Sequence, residues 1–107
     1  MSSIKEQRTE QIIRELAADF LQRESNRTSL VTVTGVTLAD RMSKATILLS
    51  VLPEDRQDEA VKFAQRKRLE FKEYVKKHAR IGKIPMFDFV VDYGEKNRQR
   101  IDELSTK

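Results

Sequence analysis

His78 is the only imidazole in this 107-residue chain, and there is no cysteine. Those two counts remove most of the side-chain chemistry by which small proteins catalyse. Without a thiol there is no disulfide framework, no thiolate nucleophile, no Cys-ligated zinc and no iron–sulfur cluster. His78 falls on the apolar stripe of a helical segment among lysines, and no serine has a histidine and an acid at motif spacing. A packed or half-exposed ring is the simpler reading than a general base. Glu54, Asp55, Asp58 and Glu59 form the one acidic cluster. They follow Pro53 at a helix start, where carboxylates complement the N-terminal dipole, so capping accounts for them. Gly35, Gly82 and Gly94 are the only glycines and lie too far apart to build a phosphate-cradling loop. No catalytic residue, metal site or cofactor is expected, and the chain reads as a non-enzyme.

What the sequence does concentrate is positive charge. Lysine and arginine number 21 against 17 aspartates and glutamates, a formal +4 that is unevenly placed. From Lys62 to Lys83 there are nine basic residues and two acids, Glu70 and Glu73, so this window carries +7 and the rest of the chain −3. A localised cationic strip is the footprint of a polyanion binder; a lysine-rich solvated helix face is the plainer alternative. The residues that would neutralise phosphates are Arg66, Lys67, Arg68, Lys72, Lys76, Lys77, Arg80 and Lys83. Arg68, Lys72, Lys76 and Arg80 recur every four residues, a ridge drifting by about 40° per step on a helix and suited to tracking a backbone. Phe63, Phe71 and Tyr74 lie near the core stripe and are expected to pack rather than to stack on bases.

The elements that would carry this strip follow from periodicity. Ile13, Leu16, Ala17, Phe20 and Leu21 recur at helical spacing within 6–24, and a polar break follows at 25–29. Over 30–38 the period changes to two. Val31 and Val33 share one parity, Val36 and Leu38 the other, and Gly35 lies where the alternation slips, so a β-bulge is predicted that returns both halves to one core. A turn at 39–42 leads to a second strand over 44–52, closing an antiparallel hairpin. Pro53 opens a helical segment from Glu54 to Ala79 whose stripe comprises Ala60, Ala64, Phe71, Val75 and His78. Lys67 and Arg68 interrupt that stripe, which predicts a kink, two shorter helices or snorkelling side chains. Gly82 is expected to end the helix. A third strand spans 84–91, with Phe87, Phe89 and Val91 on one parity and Pro85 near its start, where a missing donor is tolerated. Ile101 and Leu104 suit a short docked helix in the tail.

No internal repeat or low-complexity linker divides the chain, so one domain over 1–107 is expected, with a core over 5–104 and short polar ends. No apolar run approaches the ~18 residues of a membrane helix, and Met1-Ser2-Ser3-Ile4-Lys5 has no apolar signal region behind it. A cytoplasmic protein with no membrane partner is expected. The order α-β-β-α-α-β makes it an α+β domain, a three-stranded sheet with helices on one face and the second helical segment as crossover.

Two stretches go beyond composition. One runs Leu30-Val31-Thr32-Val33-Thr34-Gly35-Val36-Thr37-Leu38, then Asp40, Ala45 and Ser50-Val51-Leu52. The other runs Ile84-Pro85-Met86-Phe87-Asp88-Phe89 through Asp92 to Arg100-Ile101-Asp102-Glu103-Leu104. In this order and spacing the chain, from about Glu6 to Leu104, resembles bacterial ribosome-binding factor A. The resemblance implies a type-II KH-like fold that lacks the glycine-x-x-glycine loop of RNA-binding KH domains. It also implies a monomeric partner of the free 30S small ribosomal subunit and its 16S rRNA, a factor for late 16S rRNA maturation that supports growth in the cold. The chain departs from the family at the alanine-x-glycine interruption between the later helices, where Gln65-Arg66-Lys67-Arg68 stands instead. Gly94 replaces a usual serine, and the aspartate-proline-arginine after the first helix is replaced around Asn26-Arg27. The rival reading, from another class, is a protein–protein module whose cations serve solubility while a sheet edge or the tail binds a partner.

Overall fold

The computed structural model describes residues 4–24 and 29–94. Helix α1 spans Ile4–Glu24, strand β1 Leu30–Ala39 and strand β2 Lys44–Leu52. A single 3-10 turn at Glu54–Arg56 leads into α2 (Gln57–Arg66), followed by α3 (Arg68–His78) and strand β3 (Met86–Val91). The predicted tail helix at Ile101 and Leu104 and the Asn26-Arg27 departure lie outside the described residues.

The strands form one sheet in the order β1-β2-β3, with β1 antiparallel and β3 parallel to the central β2. The bulge falls where the alternation slips. Val33 pairs with Leu49 and Gly35 with Leu48, so the extra, unpaired residue is Thr34. Its consequence is the expected one: Val33 is buried, and Val31, Val36 and Leu38 all pack against the same core despite their opposite parities. Thr34 uses its freedom from the ladder to bind across the sheet. Its hydroxyl donates to Asp92 Oδ2 at 2.6 Å, while Asp92 Oδ1 accepts from the Gly94 amide at 2.9 Å.

The core is built from one face of the sheet. Ala45, Ile47 and Leu49 of β2 and Phe87 and Phe89 of β3 meet Ile13, Ala17, Phe20 and Leu21 of α1 and Ala64, Phe71 and Val75 of the crossover helices. Phe71 is its centre, fully buried with Phe87, Phe20 and Phe89 at centroid distances of 4.7, 5.3 and 5.8 Å. Edge-on and tilted geometries of this kind place ring edges against ring faces.

Of the three predicted outcomes for the interrupted stripe, two shorter helices are what forms. Lys67 alone separates α2 from α3, at φ −96 and ψ 6. Its amide donates to Ala64 O at 3.0 Å and its carbonyl accepts from the Phe71 amide at 2.9 Å, so one tightened turn replaces the glycine-containing interruption. Two boundaries and one burial differ from expectation. Gly82 does not end the helix: α3 stops at His78, and Ala79 is already extended at φ −139, ψ 148. The reason is burial, because an extended chain after His78 lets Ala79, Ile81 and Ile84 pack on the core. Strand β3 begins at Met86 rather than Ile84, directly after the fully buried Pro85, which has no amide to give the ladder. His78 does not extend the core stripe; as the last helical residue it is exposed, with its ring 4.2 Å from that of Tyr74.

Candidate nucleic-acid interface

Breaking the helix at Lys67 divides the cationic strip into three groups. Arg66 is the exposed last residue of α2. Arg68, Lys72, Lys76 and Lys77 lie on α3, and Arg80 and Lys83 are exposed on the extended connection to β3. The four-residue ridge therefore ends at Lys76; Arg80 has left the helix and does not continue it.

Taking Phe71 as the inward reference and about 100° per residue, Arg68, Lys72 and Lys76 sit near 60°, 100° and 140° on one flank of α3. No carboxylate shares that flank. Glu70 and Glu73 lie round the other side, although Glu73 reaches Lys76 Nζ at 3.6 Å. Leu69 sits beside this row near 160°, and its side chain is 78% exposed, the most exposed large hydrophobic residue among those described. Lys72 is half-buried and pairs with no acid among the described residues. The Arg68 guanidinium donates through Nε to Gln65 O at 3.0 Å, fixing it against the helix junction while its terminal nitrogens stay at the surface.

Lys67 is set apart from its neighbours. Its side chain is only 27% exposed, and Nζ lies 3.4 Å from Glu70, 3.9 Å from Glu24 of α1 and 5.7 Å from the Phe63 ring centroid. Its charge is spent internally, tying α1 to the junction of α2 and α3. Lys77 points to the opposite flank of α3 from Lys72, into a cleft against the end of α1. The eight predicted residues thus do not form one surface. Arg66, Arg68, Lys72 and Lys76 cluster at the junction and along one flank, Arg80 and Lys83 follow on the connection, and Lys67 and Lys77 face elsewhere.

Among the described residues no group of three or more His, Asp or Glu side chains is placed to hold a metal ion. No buried side-chain nitrogen or oxygen lacks a partner there. No helix among them is long and apolar enough to cross a membrane.

The sequence matches a family model described as ribosome-binding factor A over residues 5–105. The fold is similar to that of a crystal structure of ribosome-binding factor A from Thermus thermophilus, with a TM-score of 0.71 at 17% identity, covering 79% of this chain and 93% of that one. A solution structure of a Thermotoga maritima protein, a candidate ribosome binding factor A, matches with a TM-score of 0.70 at 22% identity over 89% of this chain and 94% of that one. Coordinates of the Thermus thermophilus factor fitted into a cryo-EM map of its complex with the 30S subunit match with a TM-score of 0.64 at 18% identity, covering 74% of this chain and 86% of that one. The order α-β-β-α-α-β and the three-stranded sheet are common to this chain and these structures, a KH-like fold.

Proposed function

This chain belongs to the ribosome-binding factor A family, and from that premise we propose that it is a non-catalytic assembly factor of the small ribosomal subunit. It binds the free 30S particle through 16S rRNA and assists late maturation and processing of that RNA, acting in the cytoplasm as a monomeric single domain. The observation that supports this reading most is the flank of α3 carrying Arg68, Lys72 and Lys76, of which only Lys76 is paired with an acid among the described residues, Glu73. Such a row neutralises successive phosphates and releases their counterions, which supplies affinity without reading sequence. Arg66, at the end of α2, and Arg80 and Lys83, on the connection, extend it at either end. Mixed-charge surfaces elsewhere on the chain, net −3 outside this window, orient the protein so that this flank meets the polyanion.

The test is a double charge reversal, Lys72→Glu with Lys76→Glu. Both side chains are outside the buried core, so the variant keeps the wild-type circular dichroism spectrum, and losing the exposed Lys76–Glu73 pair costs at most about 1 kcal/mol of stability. On sucrose gradients the wild type sediments with free small subunits, and the variant moves to the soluble top, with affinity reduced at least about tenfold. Co-sedimentation equal to wild type would overturn the phosphate-binding mechanism and favour docking through protein contacts.

A further inference from the structure

The flank of α3 opposite the cationic row closes against the last turn of α1 to leave an open cleft of about 400 Å³, within the ~300–1,000 Å³ range of sites for small organic groups. Its floor is aromatic. Phe20 and Tyr74 pack at 5.4 Å between centroids, and Tyr74 and His78 at 4.2 Å, so three rings run in series from the core to the surface. Phe20 is buried, Tyr74 half-buried and His78 exposed, so the series of rings opens to solvent at its outer end. Arg23 fixes the platform from α1. Its Nη1 donates to Tyr74 Oη at 3.5 Å, and its guanidinium carbon stands 5.9 Å from the Tyr74 centroid.

The charges around this platform are sorted. Glu24, Glu70 and Glu73 also line the cleft; the single charge of Lys67 lies between Glu24 and Glu70, and Lys76 pairs with Glu73. Arg23 and Lys77 are the cations of the lining, and neither makes an ion pair among the described residues. Aromatic π-surface beside unpaired cations is the arrangement that takes an unstacked nucleobase, with the rings under the base and the cations on its flanking phosphates. A duplex cannot offer such a base, since its faces are already stacked.

The geometry points to a second RNA contact at this cleft, a stacking site for one unpaired nucleobase on Tyr74 and His78, flanked by Arg23 and Lys77. This rests on the RNA-binding reading above and adds to it a preference for single-stranded over double-stranded segments. The aromatic residues of the crossover are expected from sequence to pack, and Phe71 does so; Tyr74 differs because its ring lies at the rim of the core with His78 one turn further on.

The test measures binding of the full chain to two fluorescein-labelled RNAs by anisotropy, a mixed-sequence single-stranded decamer and a ten-base-pair duplex. His78→Ala removes an exposed ring, and Tyr74→Leu keeps apolar bulk at the core rim. Each variant is expected to weaken the single strand about fivefold or more while leaving the duplex within twofold of wild type. In NMR spectra the His78 ring protons move upfield on adding the single strand and not on adding the duplex. Unchanged single-strand binding in both variants overturns the stacking site, as does an equal loss for both RNAs, which would mark a general electrostatic or folding effect. RNA binding that survives with co-sedimentation lost would assign the cleft to a ribosomal protein and overturn the proposal. Failure of wild type to bind either RNA would sink the RNA-binding reading itself, an outcome distinct from failure of the cleft alone.

Discussion

Lys67 and Lys72 belong to one basic run yet meet opposite surroundings. The Lys67 ammonium lies between Glu24 and Glu70 and above Phe63, whereas Lys72 pairs with no described acid. Partly exposed ion pairs are worth a few tenths of a kcal/mol to about 1 kcal/mol each. A lysine already committed to two carboxylates releases little on meeting phosphate, because the attraction it gains there replaces one it gives up. Lys72→Gln is therefore expected to lower the slope of log affinity against log salt by about one on small-subunit RNA, with no change in melting temperature. Lys67→Gln leaves that slope unchanged and lowers stability by about 0.5 kcal/mol in urea titration. Equal salt slopes for the two variants would show that Lys67 turns outward to the RNA.

At the scale of elements, the β1–β2 hairpin carries two local departures with opposite energetic signs. Its connection holds Asp40, Arg41 and Met42 consecutively in the left-handed region, at φ 51, 56 and 66, closed by the Ser43 amide on Asp40 O at 3.1 Å. Aspartate tolerates this conformation, but arginine and methionine incur roughly 1–2 kcal/mol each from Cβ crowding. Arg41 is exposed, so Arg41→Gly removes that strain without losing a contact. After the greater unfolded-state freedom of glycine is set against it, a net gain of about 0.5–1 kcal/mol is expected, read as a rise of about 2–6 °C in melting temperature. The bulge works the other way. Thr34 joins β1 to Asp92 beyond β3, a link of 58 residues in sequence, and Thr34→Val leaves the carboxylate short of a donor. A loss of about 1–2 kcal/mol in urea-induced unfolding is expected; an unchanged midpoint would show that water replaces the hydroxyl. Gly35 itself is not required by the backbone, as its φ is not positive and an added Cβ would meet Leu48 Cδ1 at an ordinary 3.6 Å.

For the molecule as a whole, one sheet face is covered by all three helices and the cationic row lies on the flank of α3 away from α1, so phosphate binding leaves the core untouched. If Arg66, Arg68, Lys72, Lys76, Arg80 and Lys83 each neutralise one phosphate, the log–log salt slope is about −5.4. Affinity for small-subunit RNA then falls about a thousandfold or more between 50 and 200 mM monovalent salt, measurable by filter binding across that range. A slope near zero would remove the electrostatic mechanism, and one near −7 would bring Lys67 and Lys77 into the footprint.

The elements were legible in the sequence because each is declared by short-range pattern. The 3.6-residue stripe of α1, the slipped alternation around Gly35, the cations breaking the stripe at Lys67 and Pro85 before β3 are all local, and local backbone preference and binary burial act over the same few residues. The helix end moved from Gly82 to His78 because burial of Ala79, Ile81 and Ile84 outweighed a glycine's preference for ending a helix, and the start of β3 moved to Met86 because Pro85 has no amide for the ladder. The cationic strip, too, was visible as a count. Which of its members face outward was not, since that depends on acids brought in from another element. Glu24 comes from α1 to take Lys67, and the packing of α1 on α3 turns Lys77 toward Tyr74, His78 and Arg23. Charge is a property of the residue and can be read from the chain; whether it is already compensated is a property of contacts that only the folded molecule makes.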